Sequence, residues 1–158
     1  MPLESGTYII SSVSSDTPLG VLPFDNDGGS SEPASIGTLR EHDTAPKWKI
    51  VKDSSGKEVY HIYLKDVGRA VSQNHLLWAD PSKNDDKKGV WNVQYQEHHG
   101  EHIYTICELW TGMGWVVPGG QSGTQVSIRP LIVAPSFPPM FPPFELFKIV
   151  RVEDDDEE

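Results

Sequence analysis

Large aromatic residues recur three times along this chain, each with a β-branched residue two positions later. The three segments are Trp48-Lys49-Ile50, Trp91-Asn92-Val93 and Phe147-Lys148-Ile149. Successive side chains of a β-strand alternate between its two faces, so both residues of each pair share one face. A segment centred on a tyrosine precedes each of them, at Tyr8, Tyr60 and Tyr104. A pattern that returns after roughly 40 to 50 residues is typical of a repeat architecture.

The rest of the chain predicts short strands, and helical periodicity is almost absent. Runs rich in Val, Ile, Tyr and Trp alternate with Gly, Pro, Asn, Asp and Ser, which is the pattern of an all-β domain. We predict twelve strands, at 6–13, 19–24, 35–41, 47–52, 59–65, 69–73, 76–79, 90–96, 102–109, 114–117, 124–130 and 144–152.

Twelve strands in three repeats give four strands per repeat, which predicts a β-trefoil with a closed barrel and a hairpin cap. The single domain spans residues 1–152, with repeats at about 1–52, 53–97 and 98–152. The six recurring aromatics are predicted core residues. Outside that register lie Trp78, Trp110 and Trp115, for which we predict core or rim positions, with a sugar-stacking platform as the alternative.

Charge and composition exclude several classes of function. The net charge is −10, and residues 153–158 are all acidic, so the body carries about −4 and the tail is predicted to be disordered. Nothing offers a basic face to nucleic acid, and no apolar run reaches the ~20 residues of a membrane span. No charged leader with an apolar run follows Met1, so we expect a cytoplasmic protein, released on tissue damage. We also expect it to act as a monomer.

No catalytic or metal-binding constellation stands out. Cys107 is the single cysteine, and its apolar neighbours predict a buried, inert thiol. The run from His98 to His102 lacks the ligand spacing of a zinc site, so His98 and His99 are predicted to be surface histidines of a turn. We find no acid, base or nucleophile with an identifiable partner, and we predict that the chain is not an enzyme and has no cofactor.

Three connections are long enough to present a binding surface. Residues 25–33 are polar and carry adjacent glycines, and residues 80–89 are charged. Residues 134–143 contain five prolines, which predicts a stiff extended segment that either covers the barrel mouth or forms a contact surface.

The opening Leu3-Glu4-Ser5-Gly6-Thr7-Tyr8, the Trp48-Lys49-Ile50 segment and the final Phe147-Lys148-Ile149 resemble the mushroom β-trefoil serine protease inhibitors of the cospin type. The resemblance covers nearly the whole chain. It implies a protein of a fungal fruiting body that binds a trypsin-like serine protease through one rigid loop and serves in defence against grazing animals.

In that family the inhibitory loop joins the second and third strands of the first repeat. The resemblance therefore implies that Asn26 is the leading residue, flanked by Phe24, Asp25, Asp27 and Gly28. Asn26 departs from the Lys or Arg that a trypsin pocket favours, and it is also a residue type typical of tight turns. Lys83, in the charged connection 80–89, is the alternative reactive residue.

Two other functions remain open on the same scaffold. One is a carbohydrate-binding β-trefoil lectin, although the Gln-x-Trp signature of ricin-B repeats is missing from Trp48 and Trp91. The other is a cysteine protease inhibitor of the mycocypin type, which would use glycine-bearing loops such as 27–29 or 119–123.

Overall fold

The computed structural model describes residues 3–22, 34–40, 45–54, 56, 58–81, 90–109, 111–118, 123–133 and 140–152. These residues form twelve strands and two short 3-10 helices, Glu97–His99 and Pro143–Glu145. No helix among them is long and apolar enough to cross a membrane. The strands are β1 Gly6–Ser12, β2 Thr17–Val21, β3 Ala34–Thr38, β4 Trp48–Lys52, β5 Val59–Leu64, β6 Gly68–Gln73, β7 Leu76–Asp80, β8 Val90–Tyr95, β9 Ile103–Glu108, β10 Gly114–Val116, β11 Ser127–Arg129 and β12 Phe147–Arg151.

Six strands close into a barrel. Antiparallel pairing runs from β1 to β4, β5, β8, β9 and β12 and returns from β12 to β1. A closed ring leaves no unpaired strand edge within the barrel. The other six strands form the cap, in which β7 pairs with β3, β6 and β11. The predicted closed barrel with its hairpin cap is confirmed.

The six recurring aromatics lie in the core, as predicted, and none is more than 6% exposed. The O–H groups of Tyr8 and Tyr60 donate to the carbonyl oxygens of Glu4 and Leu3, at 2.6 and 2.9 Å, and so tie the N-terminal segment to the barrel. Burial raises the pKa of all three tyrosines, to about 12 for Tyr104, so the phenols stay neutral at physiological pH.

Trp115 of β10 lies at the centre of the aromatic core and is fully buried. Its ring contacts the three barrel aromatics Trp48, Trp91 and Phe147, with centroid distances of 6.4, 5.4 and 5.9 Å. The core position that we predicted as one option is therefore correct for Trp115, and the sugar-stacking alternative is wrong for it. Burial explains this outcome, because a stacking platform must be open to solvent.

The barrel and the cap are also joined by indole hydrogen bonds. Trp48 Nε1 donates to Leu19 O at 3.2 Å, and Trp91 Nε1 donates to Ala70 O at 3.0 Å. Both acceptors belong to cap strands, β2 and β6. The third equivalent barrel position holds Phe147, which has no N–H to donate to a cap strand. Here the indole comes from the cap, since Trp115 of β10 packs on the Phe147 ring.

Several predicted strand bounds are wrong. The strand predicted at 19–24 begins at Thr17 and ends at Val21. Pro18 can lie within it because its carbonyl accepts from Leu39 N–H, although proline itself has no N–H to donate. The strand predicted at 144–152 begins only at Phe147, since Pro143–Glu145 form a 3-10 helix. The strand predicted at 124–130 is limited to Ser127–Arg129.

Candidate functional site

The predicted site residues lie outside the described part of the chain. Phe24, Asp25, Asn26, Asp27 and Gly28 belong to the connection between β2 and β3, and the alternative Lys83 belongs to the connection between β7 and β8. The structure describes the residues from which both connections leave and to which they return. These stems decide how firmly a loop can be presented.

The stem of the first connection is closed by backbone pairing up to its last described residues. Val21 is paired with Ile36, and Leu22 N–H donates to Ser35 O at 3.0 Å. Leu22 and Ile36 are both fully buried. The ends of the connection are therefore fixed by two strands and by apolar packing, which lowers the entropy lost when such a loop is ordered on a partner.

Two glycines face each other across this stem, and both allow close packing. Gly20 is paired with Gly37 in the β2–β3 ladder. A Cβ atom at Gly20 would lie 2.6 Å from Pro46 Cγ, and one at Gly37 would lie 2.2 Å from the carbonyl oxygen of Thr124. The same Thr124 oxygen accepts from Thr38 N–H at 3.0 Å, and Val126 N–H donates to Ile36 O at 2.9 Å. Residues 124–126 thus clamp β3 from the side opposite to β2.

The stems of the two connections are adjacent. Strand β3 pairs with β7, with Ala34 opposite Ala79 and Ser35 opposite Trp78. The first residue of β3 therefore lies beside the end of β7, where the second connection leaves after Pro81. On the other side of β7, Gly68 of β6 packs closely against the same end, because a Cβ atom there would lie 2.5 Å from the carbonyl carbon of Asp80. The competing predictions, Asn26 and Lys83, thus belong to connections that leave the same edge of the cap.

Cys107 and Trp78 are two other sequence-selected residues that the structure describes. Cys107 is half-buried, and burial, with a smaller effect of the Glu145 carboxylate, raises the pKa of its thiol to about 11. The reactive thiolate is therefore scarce at neutral pH. No cluster of three or more His, Cys, Asp or Glu side chains among the described residues could hold a metal ion. Trp78 is half-buried and donates from Nε1 to Gln73 O, whereas Trp110 lies outside the described residues.

Glu145 is a polar residue that the sequence pattern did not single out. It is only 1% exposed, and its Oε2 accepts from Ile132 N–H at 2.5 Å. Oε1 is buried and has no hydrogen-bond partner among the described atoms. Burial raises the pKa of this carboxyl group. A single glutamate between Phe144 and Leu146 gives no periodic signal, so only the tertiary contact reveals its role.

His99 contacts the same connection between β11 and β12, at Phe141. Its Nε2 accepts from Phe141 N–H at 3.1 Å, so the neutral ring carries its proton on Nδ1, and the two rings are 6.0 Å apart. The prediction of a surface histidine is confirmed for His98, which is exposed, whereas His99 of the same 3-10 helix is only partly exposed and its ring lies next to that of Phe141.

We expect acid to break this His99 contact. Burial, and next the neighbouring His98 at 4.5 Å, lower the pKa of His99 from its ordinary value of 6.5. The neutral form is favoured in the folded chain, so its contribution to stability is complete above pH 6.5 and is lost as the pH falls through the lowered pKa. Protonation removes the acceptor, so the protection factor of the Phe141 amide, its exchange rate compared with that of an unprotected amide at the same pH, should fall. Exchange followed by NMR between pH 7 and 4 checks this.

The matched control is His99→Gln, which keeps an acceptor that does not titrate in this range. Its Phe141 protection factor should stay constant between pH 7 and 4. An equal fall of the protection factor in wild type and variant would show that His99 does not hold this amide.

Comparisons with known proteins agree with the fold and indicate a class of protein, the peptidase inhibitors. Residues 1–151 match the family model described as Peptidase inhibitor I66. A proteinase inhibitor from Coprinopsis cinerea is 34% identical, with a TM-score of 0.83, and the match covers 95% of this chain and 99% of that one. A protein from Lentinula edodes named "Serine protease inhibitor" is 40% identical over 63 residues, which are 40% of this chain and 43% of that relative.

More distant solved structures share the fold alone. The designed protein ThreeFoil, with threefold symmetry, has a TM-score of 0.69 at 13% identity, covering 93% of this chain and 99% of its own. The Rhizoctonia solani agglutinin has a TM-score of 0.70 at 13% identity, covering 96% and 99%. The β-trefoil prediction is confirmed.

Proposed function

Because the chain belongs to the Peptidase inhibitor I66 family, we propose that this protease inhibitor acts on trypsin-like serine proteases through the connection between β2 and β3. Membership of a family of inhibitors confirms the prediction that the chain is not an enzyme. The name of the Lentinula edodes relative supports serine proteases as the target class, over the part of the chain that aligns. The trypsin-like target and the loop are our proposal.

The observation that carries the loop assignment is its stem. Ladder pairs, the Leu22–Ser35 hydrogen bond and the buried side chains of Leu22 and Ile36 fix both ends of residues 23–33. A binding loop with fixed ends loses less conformational entropy on association, which increases its affinity without added contacts. Such a loop presents a substrate-like segment to an active-site cleft with little rearrangement.

Asn26 is the residue that we propose for the primary pocket of the protease. A trypsin-like pocket contains a carboxylate at its base, with which an amide can form a hydrogen bond. Asp25 and Asp27 would repel that carboxylate, so they must remain outside the pocket. Lys83 has the charge that the pocket prefers and stays the alternative on the adjacent connection.

We expect Asn26→Ala to weaken trypsin inhibition by about 30-fold or more, because a residue that fills the primary pocket is a binding hot spot. Lys83→Ala should change it less than about threefold. The measurement is a titration of trypsin, chymotrypsin and papain with wild type and both variants. Loss through Lys83→Ala alone would move the site to the β7–β8 connection.

Papain inhibition without trypsin inhibition would favour a cysteine protease inhibitor.

A cytoplasmic store that is released on tissue damage for defence is part of the same proposal. Cell fractionation of the source tissue before and after wounding tests it, and recovery of the protein in a membrane fraction would contradict it.

A further inference from the structure

A pocket of about 580 Å³ opens on the outer surface of the barrel, where β4 and β5 meet the turn to β6. Its apolar lining includes Val51, Val67 and the ring of Tyr63, and two lysines, Lys49 and Lys65, line it as well. The volume is in the range of pockets that bind ligands. Because the lining combines apolar side chains with amino groups, the pocket is suited to an anionic partner.

The pocket is positively charged although the chain is acidic. Asp66 is its one acidic lining residue among those that the structure describes, against the two lysines. Lys49 is exposed, and no described residue forms an ion pair with it. Lys52 on the same strand differs, since its Nζ lies 3.7 Å from the Glu4 carboxylate. Lys49 is therefore the cation that is open to an acidic partner from elsewhere.

The end of β12 lies in the same row of residues as this pocket. Val152, the last described residue, donates from its N–H to Thr7 O at 2.9 Å. Thr7 lies opposite Lys49, and Lys49 lies opposite Tyr63. Neighbouring strands are about 4.8 Å apart, so Lys49 is roughly 10 Å and Tyr63 roughly 14 Å from Val152. The chain therefore leaves β12 two strands away from the pocket.

We propose that the acidic tail, residues 153–158, crosses β1 and binds in this pocket, with its carboxylates on Lys49 and Lys65. The tail lies outside the described residues and follows directly after Val152. Six extended residues reach about 20 Å, which exceeds the distance to the pocket. All six are Asp or Glu, so every register of the tail brings carboxylates to the lysines. The inference depends on the barrel and not on the proposed protease loop.

Covalent attachment is what makes weak ion pairs sufficient. A single ion pair on a protein surface contributes little, but a short tether keeps the tail at an effective concentration in the millimolar range. The body carries about −4, so the protein as a whole repels the tail, and only local cations attract it. Salt screens such charges over about 8–10 Å at physiological ionic strength. The contact should therefore form at low salt and be lost at high salt.

Two other cations on β12 are less suited to the tail. Arg151 is nearer, but its guanidinium packs on Gly6 and lies 5.8 Å from the centre of the Tyr8 ring. Lys148 is exposed and lies opposite Ser11, four residues before Val152, which is about 13 Å along the strand. Lys148 is thus as accessible as Lys49 and at a similar distance, but it does not line the pocket. It is the matched control.

The first test is coupling with a water-soluble carbodiimide, which joins a carboxylate to a lysine amine when the two are in contact. Peptide mass spectrometry of the monomer should show links from residues 153–158 to Lys49 or Lys65. At low salt these links should exceed those to Lys148 by about 10-fold or more, because the pocket holds the tail. They should fall by about fivefold or more in 0.5 M NaCl, where screening is strong (roughly 0.5 M against 0.02 M).

The second test needs no reagent and uses amide chemical shifts measured by NMR. The comparison is with a variant of the same length that carries Glu153→Gln, Asp154→Asn, Asp155→Asn, Asp156→Asn, Glu157→Gln and Glu158→Gln. Neutralising the tail should shift the amides of Tyr63 and Val67 at low salt. In a Lys49→Glu background this shift should shrink by about threefold or more, since the reversed charge repels the tail, whereas Lys148→Glu should leave it unchanged.

Three results would overturn the inference. One is links to Lys148 that are as frequent as links to Lys49. Another is an absence of shifts at Tyr63 and Val67 when the tail is neutralised. The third is links that occur only in covalent dimers, which would assign the pocket to the tail of a second copy.

Discussion

Trp115→Ala is expected to cost about 3–5 kcal/mol of the free energy of unfolding, which is the range for removal of a buried aromatic ring. The indole is fully buried and contacts the rings of Trp48, Trp91 and Phe147 at once. Its removal leaves a cavity where the barrel and the cap meet, and the closed ring of strands limits collapse around it. Urea unfolding measures the loss as a lower midpoint at an unchanged slope.

Two control variants separate this cause from others. Trp115→Phe should cost much less than Trp115→Ala, because the ring is retained and Trp115 Nε1 has no partner among the described atoms to lose. Trp78→Ala removes an equally large side chain from a half-buried position and should cost about 1 kcal/mol. If Trp78→Ala costs as much as Trp115→Ala, central packing is not the reason.

Gly37→Ala is expected to destabilise the fold by about 1–3 kcal/mol or more through overpacking. The added Cβ would lie 2.2 Å from the backbone oxygen of Thr124 and 2.8 Å from Gln125 Cα. Backbone atoms cannot rotate away as a side-chain end can, so β3 must separate from residues 124–126. Urea unfolding measures the cost, and trypsin inhibition, where present, should weaken because β3 forms one side of the loop stem.

The matched control is Gly56→Ala, where the new Cβ would meet the side-chain atom Val59 Cγ2 at 2.9 Å. Because Gly56 is exposed and its new Cβ meets a side chain and no backbone atom, this change should cost less than Gly37→Ala. Equal costs for the two substitutions would contradict the clash at Gly37.

Much of the fold could be predicted because its signal is repeated. Each aromatic strand is marked by side chains two positions apart, and the mark appears three times, so accidental matches to one segment do not change the result. The strand ends were less predictable. Pro18 lies within β2, where its carbonyl accepts a hydrogen bond from Leu39 N–H. Local strand propensity cannot predict a partner so far along the chain.

The candidate site could be predicted only through family resemblance. A β-trefoil presents many loops, and polar composition alone does not distinguish 23–33 from 82–89. The structure adds that the two connections leave from neighbouring stems, since β3 and β7 are paired. Nothing in the local sequence indicates that pairing, because strands far apart in the chain meet only when the cap is assembled.

The sequence by itself determined the class of fold and the six recurring core aromatics, because the alternation of side chains along a strand is a local property. Tertiary structure alone decided which residues act across distant elements. Trp115 became the centre of the core, Glu145 became the buried acceptor for Ile132, and His99 became the acceptor for Phe141. Each of these roles depends on a partner at least 13 residues away, so it exists only after the barrel has closed and the cap has packed on it.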